Sequence, residues 1–404
     1  MKYSAQEVMQ YVQETNVKFI RLAFCDVYGR QKNIAIMPGE LNRAFTYGVA
    51  IDASAIAGFG GQVRSDLFLH PDPSTLMGLP WRSENGRVVR MVCDITCPDG
   101  TAFPCDTRNL LKQAISDAEK AGYAFYFGPE MEFYLFRTDE NGDPTLEPYD
   151  RAGYMDIAPA DKGENVRREI CLNLEQMGIQ PESSHHEEGP GQNEIDFRYS
   201  DPLTAADNAV AFLAVVRTIA ARNGLWADFS PKPLEDSPGS GMHINMSVQA
   251  PDGRDVMAAM TAGVMARTPD MTLFLNPVAD SYRRLGGNKA PGYVSWSSEN
   301  RSQLIRIPAA VGEYRRMELR SADCEANPYI AFALLMRAGL EGIRQGLALP
   351  PSADLNLYTA PAEVLAGFER LPRTLGQAAA RAAESDFIAA HLPEELIRAY
   401  CGRD

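Results

Sequence analysis

The order of apolar and polar positions along the chain predicts a mixture of strands and helices. "YAFYFGPEMEFYLF", residues 123–136, is rich in aromatic and large apolar residues and predicts a buried strand. Further strand patterns are "NEIDFRY", "MHINMSV", "QLIRIPA" and "RRMELR". In "NVRREICLNLEQMG", by contrast, apolar residues recur at helical spacing, at Val166, Ile170, Leu174 and Met177. Because strand and helix patterns alternate, the chain is expected to have an α+β fold.

Capping and turn signals divide this pattern into two parts. Ser4 and Glu7 have the spacing of a capping box at the start of a first helix. Short apolar runs such as "KFIRLAFCDV" and "RVVRMVCDI" follow, up to a turn at "CPDGTAFPCDTR". Asp106 or Thr107 then caps a helix that continues through "NLLKQAISDAEKAG". We therefore expect a strand-rich domain at residues 1–103 and a larger mixed domain at residues 104–404.

Composition narrows the class of protein. The chain has 404 residues, 45% of them hydrophobic and 23% charged, as in a soluble enzyme. Its net charge of −14 argues against a nucleic-acid partner, which requires a basic surface. The apolar runs "AVAFLAVV" and "YIAFALLM" stop at Arg217 and Arg337, short of a membrane span of about 18 residues. The first residues contain no secretory pattern, so a cytoplasmic location is expected.

Acidic residues lie at strand ends next to glycines, where they could hold cations. Glu130 and Glu132 stand two apart and therefore share one face of the predicted strand. Taken alone, this pair is typical of an exposed strand end that carries glutamate for solubility. Further acidic or imidazole residues lie at strand-like positions or around the Gly-Pro-Gly bend at residues 189–191: Glu187, Glu188, Glu194, His243 and Glu318. Carboxylates with a single imidazole suit Mg²⁺ or Mn²⁺ rather than zinc.

Arginines form a second group of opposite charge. They are concentrated in "YRRLGG", "ENRSQLIRIP" and "RRMELR", and Arg316, Glu318 and Arg320 alternate along a predicted strand. One interpretation is a surface ladder of salt bridges. The other is a site that binds phosphate and carboxylate oxygens, since a guanidinium group can hold two oxygens at once. Divalent cations with several arginines are the components of phosphoryl transfer from a nucleotide, although the sequence has no P-loop motif.

Several motifs, taken in order, resemble type I glutamine synthetase. They are "FGPEMEF", "HHEEGPGQNEIDF", "PKPLEDSPGSGMHIN", "NRSQLIRIP" and "RRMELRSADCEANPY", with "IDASAI" and "LHPDPSTL" before them and "NLYTAP" after them. The resemblance covers nearly the whole chain. It implies an N-terminal β-grasp-like domain and a catalytic domain whose curved antiparallel sheet lines a funnel. It also implies a homo-oligomeric ring, a hexamer or a dodecamer, with active sites between neighbouring subunits.

The same resemblance assigns a role to each matching position. The ligands of a cation near the acceptor substrate would be Glu132, Glu187 and Glu194. Those of a cation on the nucleotide phosphates would be Glu130, His243 and Glu318. ATP would be contacted by Arg301, Arg306, Arg316, Asn245 and Ser247, with Arg301 next to the transferred phosphoryl group. Glutamate would be held by Gly239, Arg284 and Arg320. Asp52, from the adjacent subunit, would help to bind and deprotonate ammonium. Removal of Glu130 or Glu318 is expected to abolish activity and to relieve repulsion in a protein that still folds.

Three departures from the family pattern concern the acid and the amine. Lys289 stands where the family's flap carries a glutamate that takes a proton from ammonium. A protonated lysine is not a base and repels ammonium, so one interpretation is that an amine carrying its own carboxylate is favoured over ammonia. The other is that the flap is shortened, Lys289 is solvated and ammonia is used slowly. Pro238 stands where the family has an asparagine that touches glutamate, and Ala53 and Ala55 replace a glycine and a serine.

Three functions remain open on the sequence alone. The first is an ATP-dependent ligase that joins the γ-carboxylate of glutamate to ammonia or to another amine. The second is a catalytically weak relative that binds a nucleotide or an amino acid as a sensor. The third is a phosphotransferase that forms no amide.

Overall fold

The computed structural model describes residues 3–60, 65–82, 86–287, 289–310 and 312–403. Its first part contains a six-stranded sheet in the order β2-β1-β6-β4-β3, with β5 also paired to β6. The strands and helices of this part are β1 (Val17–Cys25), β2 (Gln31–Ile36), β3 (Val49–Asp52), β4 (Asp66–Pro71), β5 (Met77–Gly78), β6 (Arg87–Thr96), α1 (Ala5–Glu14) and α2 (Leu41–Tyr47). Ser4 and Glu7 form the predicted capping box in front of α1. This part is the expected β-grasp-like domain.

The second part is built on a nine-stranded sheet that curls into a half-barrel. Its main path runs β13-β14-β15-β12-β7-β10-β9, and β8 and β11 also pair with β7. The strands are β7 (Ala124–Thr138), β8 (Pro144–Pro148), β9 (Pro181–His186), β10 (Gln192–Phe197), β11 (Leu225–Asp228), β12 (Met242–Gln249), β13 (Trp296–Ser297), β14 (Ile305–Arg306) and β15 (Met317–Leu319). The long apolar run predicted as a strand is β7, at the centre of this sheet. The expected α+β fold is therefore confirmed.

Helices alternate with the strands of the second part and follow them, and several of these helices pack against the second sheet. The helices of this part are α3 (Thr107–Lys120), α4 (Glu164–Gln176), α5 (Pro202–Arg222), α6 (Met257–Leu275), α7 (Ser281–Arg284), α8 (Pro328–Gln345), α9 (Ala362–Leu365), α10 (Leu375–Glu384), α11 (Asp386–His391) and α12 (Glu394–Cys401). Asp106 caps α3, as its position predicts, by accepting a hydrogen bond from the backbone N–H of Arg108. Large apolar side chains such as Phe127, Phe133 and Phe332 are fully buried between sheet and helices. This packing leaves the concave side of the sheet free for polar side chains.

Two expectations about apolar segments need correction. α5 is long and apolar enough to cross a membrane by length and composition, although the run within it was expected to stop at Arg217. However, 61% of its apolar window is buried inside the protein, so its hydrophobicity is that of a core helix. The strand patterns around Arg306 and Glu318 are also shorter than predicted, since β14 spans two residues and β15 spans three.

Candidate active site

Strand pairing brings the predicted acidic residues together on the concave face of the second sheet. β7 lies between β10 and β12, and Glu132 stands directly opposite Glu194. Glu130 has a neighbour on both sides, because it stands opposite Asp196 on β10 and opposite His243 on β12. Residues two apart on one strand point to the same face, so these side chains converge.

The turn between β9 and β10 adds further ligand atoms. It passes through Gly191, which has a φ of 70° and whose Cβ, if present, would lie 2.8 Å from the carbonyl oxygen of Leu135. Only glycine fits both constraints, and the tight turn holds Glu187 beside Glu194. The ligand atoms of His185, Glu187 and Glu194 all lie within 4.8 Å of one another.

The cluster continues towards β15. His243 Nδ1 lies 3.7 Å from Glu130 Oε2 and 3.9 Å from Glu318 Oε1. Glu130, Glu194 and His243 form a second group whose ligand atoms lie within 4.8 Å of one another. Glu132 lies beside them and accepts a hydrogen bond of 2.6 Å from the backbone N–H of Gly241.

The protonation behaviour of the cluster shows how much negative charge it concentrates. Burial, followed by the nearby charges of Glu132 and Asp196, raises the pKa of Glu194 to about 11. Burial, followed by the charge of Glu130, raises the pKa of Asp196 to about 6. Carboxylates this crowded share protons unless a cation neutralises them.

Glu318 shows the opposite behaviour because arginines surround it. Burial alone would raise its pKa, but Arg320, His243 and Arg306 together lower that pKa to about 2. Arg306 Nε lies 2.6 Å from Glu318 Oε2, and Arg320 pairs with the other carboxylate oxygen. Arg320 Nε also donates to the carbonyl oxygen of Arg301, at 3.1 Å. The predicted arginine group is therefore part of the site and not a surface ladder.

Two neighbouring cavities open on this face. The main cavity has a volume of about 680 Å³, and the predicted site residues that line it are Glu130, Glu132, Glu187, Glu194, Gly239, His243, Lys289, Arg301, Arg306, Glu318 and Arg320. The outer cavity has a volume of about 200 Å³. The predicted site residues that line it are Glu130, Asn245, Ser247 and Arg316. Glu130 and Asp196 line both cavities and mark the boundary between them.

The polar side chains at the outer cavity are linked to one another. Asn245 Nδ2 donates to Glu130 Oε1 at 2.7 Å, and Arg316 Nε donates to Asn245 Oδ1 at 2.8 Å. Tyr126, Tyr199 and Tyr314 supply aromatic surface at the same cavity. A cavity with aromatic walls and an arginine next to carboxylates suits the base and phosphates of a nucleotide.

Two predicted residues lie outside both cavity linings. Arg284 is buried, and its guanidinium donates to the carbonyl oxygens of Ser321 at 2.8 Å and of Arg320 at 3.3 Å. It supports the wall behind Gly239 and Gly241. Asp52 ends β3 in the first sheet, where it accepts hydrogen bonds from Ser54, and it does not line either cavity of its own chain.

Lys289 lies at the mouth of the main cavity and is paired. Its Nζ is 2.7 Å from Glu188 Oε1, and both side chains are roughly half exposed. Its backbone has a φ of 69°, an uncommon conformation for a residue with a side chain. Lys289 is therefore one half of an ion pair, and its place opposite the amine stays a prediction. The neighbouring Asn288 lies outside the described residues.

Sequence reasoning missed two residues of the cluster, Asp196 and His185. Asp196 stands two residues after Glu194 on β10, and this spacing could have placed both side chains on one face. His185 Nε2 lies 2.8 Å from Glu187 Oε1 and 3.8 Å from Glu194 Oε1. The sequence offered two adjacent histidines and no means of telling which one faces the cavity.

The donor set fits divalent cations. It consists of carboxylate oxygens with one or two imidazole nitrogens, held close together by the sheet, and burial with the neighbouring carboxylates raises the pKa of Glu194. Oxygen-rich sites of this kind suit hard divalent ions. With a cavity walled by tyrosines on one side and several arginines around it, the site is that of an ATP- and metal-dependent ligase that activates a carboxylate.

Comparisons with known proteins agree with the geometry. The family description "Glutamine synthetase, beta-Grasp domain" matches residues 16–98, and "Glutamine synthetase, catalytic domain" matches residues 104–403. The chain belongs to the glutamine synthetase family. It is an ATP-dependent carbon–nitrogen ligase that uses a divalent metal and joins glutamate to ammonia or another amine. No observation favours the sensor or the phosphotransferase.

Relatives and solved structures cover almost all of the chain. A glutamine synthetase of Clostridium saccharobutylicum is 44% identical over 393 residues, which are 93% of this chain and 88% of the relative. A glutamine synthetase of Methanosarcina mazei is 44% identical over 416 residues, 99% of this chain and 93% of the relative.

Two solved structures have a similar fold. A structure described as "GmaS/ADP complex-Conformation 1" is 26% identical, with a TM-score of 0.88 over 98% of this chain and 94% of that one. A glutamine synthetase of Plasmodium falciparum has a TM-score of 0.87 at 20% identity, over 99% of this chain and 95% of that one, and supports the fold alone.

Proposed function

We propose that the protein phosphorylates the γ-carboxylate of glutamate at the boundary between the two cavities and then transfers the acyl group to ammonia. The observation that carries this proposal is that Glu130 and Asp196 line both cavities. A nucleotide in the outer cavity would therefore direct its terminal phosphate at the same cluster that a substrate in the main cavity approaches. This arrangement suits a direct transfer of phosphate to a carboxylate oxygen.

The cations in the proposed site are Mg²⁺ or Mn²⁺. Glu130, His243 and Glu318 would hold one on the nucleotide side. The acceptor side would use Glu132, Glu187 and Glu194. When bound, the cations neutralise phosphate charge and polarise the oxygens to which they bind.

Arginines would stabilise the phosphate and the substrate in this scheme. Arg301 and Arg306 line the main cavity and Arg316 the outer one, so both sides of the boundary carry guanidinium groups for phosphate oxygens. Arg320 lines the main cavity and suits the α-carboxylate of glutamate, with Gly239 as a backbone contact beside it. Arg284 would act from behind this wall by fixing the backbone at Arg320 and Ser321.

The order of the reaction follows from the chemistry of carboxylates. A carboxylate is a poor acylating group because its oxygen leaves poorly, whereas phosphorylation converts that oxygen into a good leaving group. The nitrogen then attacks the acyl carbon, and phosphate departs with the former carboxylate oxygen. The arginines hold the negative charge on the phosphate during both steps.

The Lys289–Glu188 ion pair supports ammonia as the amine. Since Glu188 neutralises Lys289, an ammonium ion meets less repulsion at the cavity mouth than an unpaired lysine would cause. A second candidate is an amine with its own carboxylate, because Lys289 lines the cavity and is half exposed, so this carboxylate could compete with Glu188 for it.

The position of Asp52 bears on how the subunits assemble. Asp52 is exposed at the end of β3 and does not line the cavities of its own chain, which supports a role in the site of a neighbouring subunit. A closed homo-oligomeric ring, a hexamer or a dodecamer, would repeat this contact at every interface. We place the ring in the cytoplasm.

The proposal is tested by ADP release with glutamate, ATP and Mg²⁺ or Mn²⁺, using a panel that contains ammonia, methylamine and amino acids as amines. We expect ADP release to require both glutamate and an amine. If the protein binds glutamate and ATP but turns over with none of these amines, the proposed ligase function is wrong. It is also wrong if the reaction ends at a stable phosphorylated product.

A further inference from the structure

A buried polar cluster lies directly behind the metal-binding face. It consists of Asp150, Asp161, Arg167, His186 and Asn193, and we call it the buried anchor. All five residues are buried, and His186 has no exposed surface. None of them lines the main cavity or the outer cavity, so they do not contact a substrate in either one.

His186 is held at both ring nitrogens. Its Nδ1 donates to the carbonyl oxygen of Glu187 at 2.6 Å, and its Nε2 lies 2.8 Å from Asp150 Oδ1. The first contact fixes the backbone of Glu187, the residue whose carboxylate enters the main cavity. The second contact fixes the ring itself, because Asp150 belongs to a different segment of the chain.

Asp150 links that ring to two further segments. Asp150 Oδ1 accepts a hydrogen bond of 3.2 Å from the backbone N–H of Gly191, in the β9–β10 turn. Asp150 Oδ2 accepts one of 3.0 Å from the N–H of Lys162, which closes the base of the loop at residues 150–163. This loop also carries Tyr154, which lines the main cavity and packs its ring against His185.

Arg167 fixes the other strand of the hairpin. Its guanidinium binds Asp161 with two contacts, of 2.5 and 3.2 Å, and donates to Asn193 Oδ1 at 2.6 Å. Asn193 stands opposite His186 in the sheet and immediately precedes Glu194. The buried anchor therefore forms hydrogen bonds to both β9 and β10, next to Glu187 and Glu194.

The cluster is not a cation site of its own, although atoms of Asp150, Asp161 and His186 lie within 4.8 Å of one another. Both nitrogens of His186 are already in contact with oxygen atoms. Both carboxylate oxygens of Asp161 face the positive charge of Arg167, which would repel a cation. Its geometry is that of a satisfied hydrogen-bonded network.

We propose that His186, together with Asp150, is a positioning residue that fixes Glu187 and Glu194 in the geometry needed to bind a cation. The inference rests on the proposed function in that it takes these two carboxylates as cation ligands. Groups that orient a ligand without touching the metal affect its affinity because they set the direction of the ligand atoms.

The test is the binding of Mn²⁺ alone, measured by titration calorimetry on the nucleotide-free protein, for wild type, His186→Ala and Asp150→Asn. We expect the dissociation constant to rise about 10–100-fold in both variants, the range typical of such orienting residues. His186→Asn, whose amide can replace the Nδ1 contact, should recover part of the affinity. His391→Asn is the control, since His391 is half buried on α11 and lies outside both cavities.

A merely structural role predicts a different pattern. The variants would then unfold at lower temperature but bind Mn²⁺ as tightly as wild type once folded, and this result would overturn the inference. If His186→Ala does not fold, His186→Asn and Asp150→Asn decide the matter by the same measurement. Wild-type protein that binds Mn²⁺ but shows no amine-dependent turnover would contradict the proposed function alone.

Discussion

Glu130 and His243 stand directly opposite each other on adjacent antiparallel strands, with His243 Nδ1 3.7 Å from Glu130 Oε2. Asp196 stands opposite Glu130 on the other side. The Glu130 carboxylate thus lies between an imidazole and a second carboxylate, on the boundary of the two cavities. In the proposed reaction Glu130 would help to hold the cation on the nucleotide side, which would neutralise phosphate charge.

The first prediction concerns Glu130. Glu130→Gln keeps the size of the side chain but removes the charge, so we expect turnover to fall by more than about 100-fold. In EDTA the variant should be at least as stable as wild type, because one charge leaves a crowded cluster. Turnover is measured by ADP release and stability by thermal unfolding. Undiminished turnover would show that Glu130 is not a cation ligand.

Glu318 should behave differently, although the sequence pattern predicted the same result for both residues. Glu318 also pairs with Arg306 and Arg320, so Glu318→Gln would leave these guanidinium groups without their carboxylate. Breaking a buried ion pair by removing one partner typically costs about 3–5 kcal/mol. We expect Glu318→Gln to lose turnover and also to unfold at a clearly lower temperature in EDTA than Glu130→Gln. Equal unfolding temperatures would contradict this interpretation.

The raised pKa of Asp196 predicts a dependence of stability on pH in the metal-free protein. Its pKa rises from 3.8 to about 6 in the folded protein, so its contribution to stability is fully present below pH 3.8 and is lost as the pH rises through about 6. Asp196→Asn removes this loss. In EDTA the variant should match wild type near pH 4 and exceed it at pH 7 by about 1–3 kcal/mol. If the difference in the free energy of unfolding between Asp196→Asn and wild type does not change with pH, this prediction is wrong.

Lys289 and Glu188 provide a prediction about the amine. Lys289→Glu should increase the use of ammonia, because the lysine that neutralises Glu188 is replaced by a second carboxylate that attracts ammonium. It should decrease the use of an amine that carries its own carboxylate. The use of ammonia and the use of the carboxylate-bearing amine are each measured as kcat/KM for that amine, at saturating ATP and glutamate. Glu188→Gln is the matched comparison and should shift the preference in the opposite direction. No change in either variant would place the ion pair outside the amine path.

Shared active sites predict complementation between subunits. Asp52→Asn and Glu130→Gln should each be inactive, since one variant removes a group donated by a neighbour and the other removes a group of the site itself. After the two proteins are unfolded together and reassembled, mixed rings should contain some sites with both residues intact, and activity should return. Light scattering checks that rings have formed. Mixed rings without activity would contradict the role of Asp52.

Much of the site could be predicted from the sequence because strand spacing is regular. Glu130 and Glu132 share a face by the two-residue period of a strand, and the structure places both on the concave face. The Gly-Pro-Gly bend predicted that Glu187 and Glu194 flank a turn. These inferences depend only on local geometry, which a sequence pattern can fix.

The remaining features depend on contacts between distant segments. Lys289 and Glu188 lie 101 positions apart in sequence, and only the tertiary structure brings Lys289 Nζ within 2.7 Å of Glu188 Oε1. No pattern in the sequence indicates this ion pair. The same holds for His186 and Asp150, which meet across the buried anchor. Pairing across strands also determines that Asp196 faces Glu130, which no pattern within β10 alone could show.

The most direct test of the proposed reaction follows one oxygen atom. Glutamate labelled with ¹⁸O in its γ-carboxylate is incubated with ATP, Mg²⁺ and ammonia, and the released phosphate is analysed by mass spectrometry. If the γ-carboxylate attacks the terminal phosphorus and the amine then displaces phosphate, one labelled oxygen should appear in phosphate for each amide formed. Phosphate released without the label would show that ATP is hydrolysed by water and would contradict an acyl-phosphate route.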